Sequence, residues 1–138
     1  MTDMESGLEK RLIKHIVRTG FEDLDAETVG CCKKLIMDSL GVVFPGSRAP
    51  GCPEILDLLR SWQSKEGASV FLADFRTAPP LAAMANSAMM HALDFDDTLD
   101  ASALHTFVSG LPAALAAAEN RGGIAGKELI TALVLGVD

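Results

Sequence analysis

The chain has 138 residues, 49% hydrophobic and 22% charged, enough apolar material for one core and too little polar bias for a disordered chain. Its formal net charge of −7 and lack of any Lys/Arg run exclude a nucleic-acid binder, since nothing would neutralise a phosphate backbone, and disfavour anionic membrane surfaces. Aromatic residues make up only 5%, while Ala, Leu and Met abound; these are strong helix formers, so the composition points to a closely packed, mainly α protein.

The N-terminal Met1, Thr2, Asp3, Met4 and Glu5 form neither a secretory signal nor an Arg-rich transit peptide. Leu8, Leu12, Ile13, Ile16 and Val17 then recur at helical spacing among charged residues, predicting an amphipathic helix that ends near Gly20, with His15 exposed on it. Asp25 is a suitable N-cap for a second helix carrying Val29, Cys32, Leu35, Ile36, Leu40 and Val43, which stops at Phe44-Pro45-Gly46. A Gly- and Pro-rich loop over 47–53 precedes a third helix with Ile55, Leu58, Leu59 and Trp62 on its apolar side. Residues 68–72 are the one convincing strand, followed by a loop over 74–80 and an Ala- and Met-rich helix over 81–93.

Residues 94–106 are polar and irregular in this reading. A further helix runs from about Ser109 to Arg121, with Pro112 expected in its first turn, where a missing N–H is tolerated. After Gly122-Gly123 a last helix starts near Ala125 and keeps its apolar pattern up to Val137 with no cap or polar tail, predicting an uncovered apolar face and a helical domain over 1–138 truncated at its C-terminus. The longest apolar run, 111–118, is interrupted by Pro112 and too short to span a bilayer, so a cytoplasmic location is expected. Cys31, Cys32 and Cys52 form no CxxC pair and are read as reduced and at least partly buried. An iron–sulfur cluster is rejected, because adjacent Cys31 and Cys32 on a helix point about 100° apart.

Chemistry concentrates in one segment. Asp94, Asp96, Asp97 and Asp100 fall within seven residues, with Thr98 among them, His91 before them and His105 after them. Clustered carboxylates repel one another, which suits a general acid or base near neutral pH, and His105 is the nearby imidazole for such work. The plain alternative is a solvated acidic loop capping the next helix. An EF-hand fails, because counting from Asp94 the required Gly and Glu positions hold Leu99 and His105. Asp94-Phe95-Asp96-Asp97-Thr98 also matches the DxDxT motif of Mg²⁺-dependent haloacid-dehalogenase-like phosphatases, but that motif needs a buried β-strand before its first Asp, and residues 85–93 read as helix.

Wider context favours another resemblance. Met37-Asp38-Ser39-Leu40-Gly41-Val42 is followed by Phe44-Pro45-Gly46-Ser47, Ala82-Ala83-Met84-Ala85-Asn86 and His91-Ala92-Leu93-Asp94-Phe95-Asp96-Asp97-Thr98. Then come His105, Leu111-Pro112-Ala113-Ala114-Leu115 with Glu119, and Gly126-Lys127-Glu128-Leu129 with Gly136. In this order and spacing the chain resembles the N-terminal part of the MmgE/PrpD family, which includes 2-methylcitrate dehydratase, cis-aconitate decarboxylase and an iminodisuccinate epimerase. One departure is visible: the family commonly has Pro and Ser after its pocket histidine, whereas His105 precedes Thr106 and Phe107.

The resemblance implies a large all-helical domain paired with an α+β lid outside this chain, a homodimer, and no metal, iron–sulfur cluster or nucleotide cofactor. It implies a small di- or tricarboxylic acid substrate, with Asp94 and Thr98 lining the pocket and His105 as the pocket histidine. Asp94 and His105 are then the expected catalytic pair, Thr98 the expected substrate-binding hydroxyl, and His91 a structural residue. A phosphatase and a non-catalytic helical interaction module are the competing readings.

Overall fold

The computed structural model describes residues 7–99 and 103–137. Its elements are α1 (Leu8–Arg18), a 3₁₀ turn (Phe21–Asp23), α2 (Ala26–Gly46), α3 (Cys52–Ser61), β1 (Ala68–Ser69), β2 (Arg76–Thr77), α4 (Pro79–His91), α5 (Phe107–Asn120) and α6 (Gly126–Val137). The chain is mainly helical, as its composition predicts.

Helix starts follow local chemistry. The Asp25 carboxylate accepts the Thr28 N–H at 2.7 Å and opens α2. Glu54 reaches back to the Gly51 N–H at 3.0 Å and opens α3, while Pro79 and Pro80 occupy the first turn of α4, where no N–H is needed. The predicted strand over 68–72 shortens to two residues, and the loop after it supplies a partner strand: Ala68 pairs with Thr77 and Ser69 with Arg76, antiparallel. Side chains hold this hairpin to the helices. Asn86, buried on α4, accepts the Phe71 N–H at 2.8 Å and donates to the Ser69 carbonyl at 3.1 Å, and Glu119 on α5 accepts from the Ser69 N–H and hydroxyl.

The core lies between α2, α4, α5 and α6, with Val43, Leu59, Met89, Met90 and Leu111 fully buried. Ala82 and Ala85 are also fully buried, and their small side chains let α4 sit close to its neighbours. At Gly46 α2 lies directly against α4: a Cβ there would stand 1.9 Å from the Met89 carbonyl oxygen.

Three expectations need correction. α5 begins at Phe107, so Pro112 lies inside the helix rather than in its first turn. The apolar face of α6 is not open: Ile130 and Leu133 are buried, and α5 and α2 pack against the helix. The uncovered stripe belongs to α1, where Leu8, Leu12, Ile13, Ile16 and Val17 are all exposed. Cys32 and Cys52 are buried, and burial pushes both thiols up, but Cys31 is exposed. No described helix is long and apolar enough to cross a membrane.

Candidate active site

The polar segment joins the C-terminus of α4 to the N-terminus of α5, the two helices that pack most extensively. It is tied down at three points. The Asp94 N–H donates to the His91 carbonyl at 3.0 Å as the helix ends, and Asp94 itself adopts a left-handed backbone with φ 56°. Asp tolerates that region better than most residues, and the turn reverses the chain off the helix axis. Leu99 and Leu104 then form an isolated antiparallel bridge, Leu99 N–H to Leu104 carbonyl at 2.8 Å. Lastly, Asp97 accepts from the Thr106 N–H at 3.1 Å, the Thr106 hydroxyl at 2.6 Å and the Phe107 N–H at 3.0 Å. Asp97 thus caps α5 from nine residues upstream in sequence and is the reason the helix starts early.

With the loop pinned, His91, Asp94, Asp96 and His105 converge. Asp96 is the centre, its side chain wholly buried. His91 Nδ1 lies 3.1 and 3.0 Å from its two oxygens. His105 Nδ1 lies 3.1 Å from Asp96 Oδ2 on the other side, without the alignment of a hydrogen bond. The opposite ring nitrogen, Nε2, faces Asp94 Oδ1 at 3.6 Å. The two imidazoles meet edge to face, their centroids 4.8 Å apart. His105 is three-quarters buried, whereas the Asp94 side chain is 80% exposed, so the Asp94–His105 edge opens to solvent.

The structure thus brings Asp94 and His105 together. Thr98 is exposed on the same loop, and Asp100 lies outside the described residues. His91 and Asp96, visible in the sequence as members of the polar segment but given no catalytic or binding role there, complete the cluster. Among the described residues, the plain reading of the loop as a helix cap holds for Asp97.

Two imidazoles and two carboxylates whose ligand atoms lie within 4.8 Å of one another have the composition of a transition-metal site as well as of a proton relay. Both Nδ1 atoms lie beside one buried carboxylate, and in the relay arrangement each would carry its proton toward Asp96. Among the described residues, the ion pairs of these carboxylates are with histidines alone; no Lys or Arg reaches them. Beside the loop, Thr28, Cys31, Leu35, Leu99, Phe107 and Val134 line an apolar groove of about 380 Å³ that none of the four clustered residues enters. The phosphatase alternative required a β-strand leading into Asp94, and the residues there form α4.

A helical domain that sets an acid–base cluster on the junction of two helices is the class of protein defined so far. A model of the MmgE/PrpD N-terminal domain matches residues 10–138, and the chain belongs to the MmgE/PrpD family. It is 26% identical over 141 residues to a cis-aconitate decarboxylase of Aspergillus terreus, covering 99% of this chain and 29% of that protein. It is 32% identical over 110 residues to the cis-aconitate decarboxylase of Mus musculus, covering 77% of this chain and 22% of that protein. A cis-aconitate decarboxylase-like protein, oryM, of Aspergillus oryzae is 25% identical over 140 residues, covering 97% of this chain and 29% of that protein. The chain spans less than a third of the length of these relatives.

Proposed function

We propose that this chain is the helical part of a cofactor-independent lyase acting on a small di- or tricarboxylic acid, with Asp94 and His105 moving the proton and Thr98 binding the substrate. The observation that carries the reading is the contact between His105 Nε2 and Asp94 Oδ1, 3.6 Å apart on an edge of the cluster that faces solvent. An imidazole is the side chain whose ordinary titration range lies nearest neutral pH, and a carboxylate beside it accepts or returns its proton.

The chemistry asks for little more from this side of the pocket. In decarboxylation the bond to a carboxylate carbon breaks, CO₂ leaves, and the electron pair left on carbon takes up a proton from the imidazolium. In dehydration a base removes a proton beside a carboxylate, and an acid protonates the departing hydroxyl on the next carbon. Epimerisation uses the same groups without a leaving group. The cluster is anionic, so the cationic groups that hold substrate carboxylates come from the remainder of the longer protein, which works as a homodimer in the cytoplasm.

The test is an assay of the full-length protein on cis-aconitate, then on 2-methylcitrate, with and without EDTA. Turnover insensitive to EDTA is expected, with Asp94→Asn and His105→Asn each lowering kcat by about 100-fold or more. Undiminished turnover in either variant, or a strict metal requirement, would sink the assignment. The 138-residue chain alone is expected to turn over neither acid.

A further inference from the structure

We propose that Asp96 is the positioning residue of this site: its buried carboxylate fixes the Nδ1–H tautomer of His105 and leaves Nε2 as the reactive nitrogen, while His91 shares the same carboxylate. The proposal rests on the reading of Asp94 and His105 given above, and it deepens that reading by assigning work to the two members of the cluster that touch no substrate in it.

The argument starts from burial. The Asp96 side chain has no exposed surface, and a buried carboxylate is costly unless its oxygens are paired. The partners that the structure gives it are His91 Nδ1 at 3.0 Å, aligned for a hydrogen bond, and His105 Nδ1 at 3.1 Å, at ion-pair distance but off the hydrogen-bond line. The His105 Nδ1 is itself buried, so water cannot reach it. Two lone pairs do not rest 3.1 Å apart in a dry site; the nitrogen that faces a carboxylate there carries the proton. That assignment puts the lone pair of neutral His105 on Nε2, the nitrogen facing Asp94 and the open edge. A carboxylate fixing the far nitrogen of an imidazole is a known way to set its tautomer and to stabilise the imidazolium that forms during turnover.

His91 sets how strongly Asp96 acts. It lies against both carboxylate oxygens and half-exposed at the end of α4, so it draws on the same charge that steadies His105. The titratable groups placed against His105 are His91 from α4 and Asp94 and Asp96 from the following loop; Asp97 faces Thr106 and Phe107 instead.

The experiment uses the full-length protein in two arms. In the first, nitrogen-15 NMR of the histidine rings, read without substrate at mildly alkaline pH, is expected to show His105 protonated on Nδ1. Asp96→Asn is expected to move that proton partly or wholly to Nε2. In the second, steady-state rates on cis-aconitate are expected to show Asp96→Asn lowering kcat by about 100-fold with KM little changed. An Nε2–H tautomer in the native protein would overturn the proposal. So would a fall in kcat in Asp96→Asn with the His105 tautomer unmoved, which is the signature of a structural residue. If Asp96→Asn does not fold, the tautomer of the native protein decides. A native Nδ1–H tautomer in a protein that turns over no carboxylic acid would uphold the positioning role while removing the substrate reading.

Discussion

Asp96 and Asp97 are neighbours of the same chemical type with different work. Asp97 caps α5 through two backbone N–H groups and the Thr106 hydroxyl, and Asp96 turns inward between two imidazoles. Asp25, at the start of α2, is a simpler case of the first kind. The Thr28 N–H on its oxygen holds its carboxyl below the ordinary value of 3.8. A group held down in the folded state binds fewer protons than in the unfolded chain between its folded and unfolded values. Its stabilisation is therefore complete above 3.8 and is lost as pH falls through the lower, folded value. Asn keeps the cap but never carries the charge. Asp25→Asn is expected to melt below the native chain at pH 7, with the gap in Tm closing as pH drops under 3.8. A gap that stays constant down to pH 2 would show that the charge contributes nothing.

At the scale of elements, the helices were legible where apolar periodicity coincided with a cap, as at Asp25 before α2 or Gly122-Gly123 before α6. β2 was not legible, because two residues carry no period and their pairing depends on Asn86 and Glu119 far along the chain. The start of α5 was misjudged for a related reason: its cap, Asp97, comes from across a loop. The acidic cluster was visible as composition, and Asp94 and His105 stood out by type and by resemblance. Which carboxylate would be buried was not visible, since that follows from the left-handed turn at Asp94 and the pinning of the loop. The helix pair α2 and α4 offers the sharpest test of packing. A methyl group at Gly46 would meet the Met89 carbonyl oxygen, backbone that cannot swing aside, so the helices must part. Gly46→Ala is expected to cost about 3 kcal/mol, measured by urea unfolding. A loss under about 0.5 kcal/mol would mean that the two helices do not approach this closely.

For the molecule as a whole, stability and exposure are unevenly spread. The core draws on α2, α4, α5 and α6, whereas α1 contributes no buried residue and displays five large aliphatic side chains along one face. Exposed substitutions away from caps and ion pairs change stability by only about 0.5 kcal/mol, so this face adds little to the folding of the 138-residue chain. It does add apolar surface, and stripes of that kind drive association. Replacing Leu12 and Ile16 together by Gln, a good helix former, keeps α1 helical and removes the centre of the stripe. In this chain the double variant is expected to leave Tm within about 3 °C of the native value and to lower self-association in sedimentation velocity. A fall in Tm well beyond that would place these side chains against the core. Unchanged Tm with unchanged association would show instead that the stripe has no role in bringing chains together, leaving the apolar groove beside Cys31 and Val134 as the surface to test next.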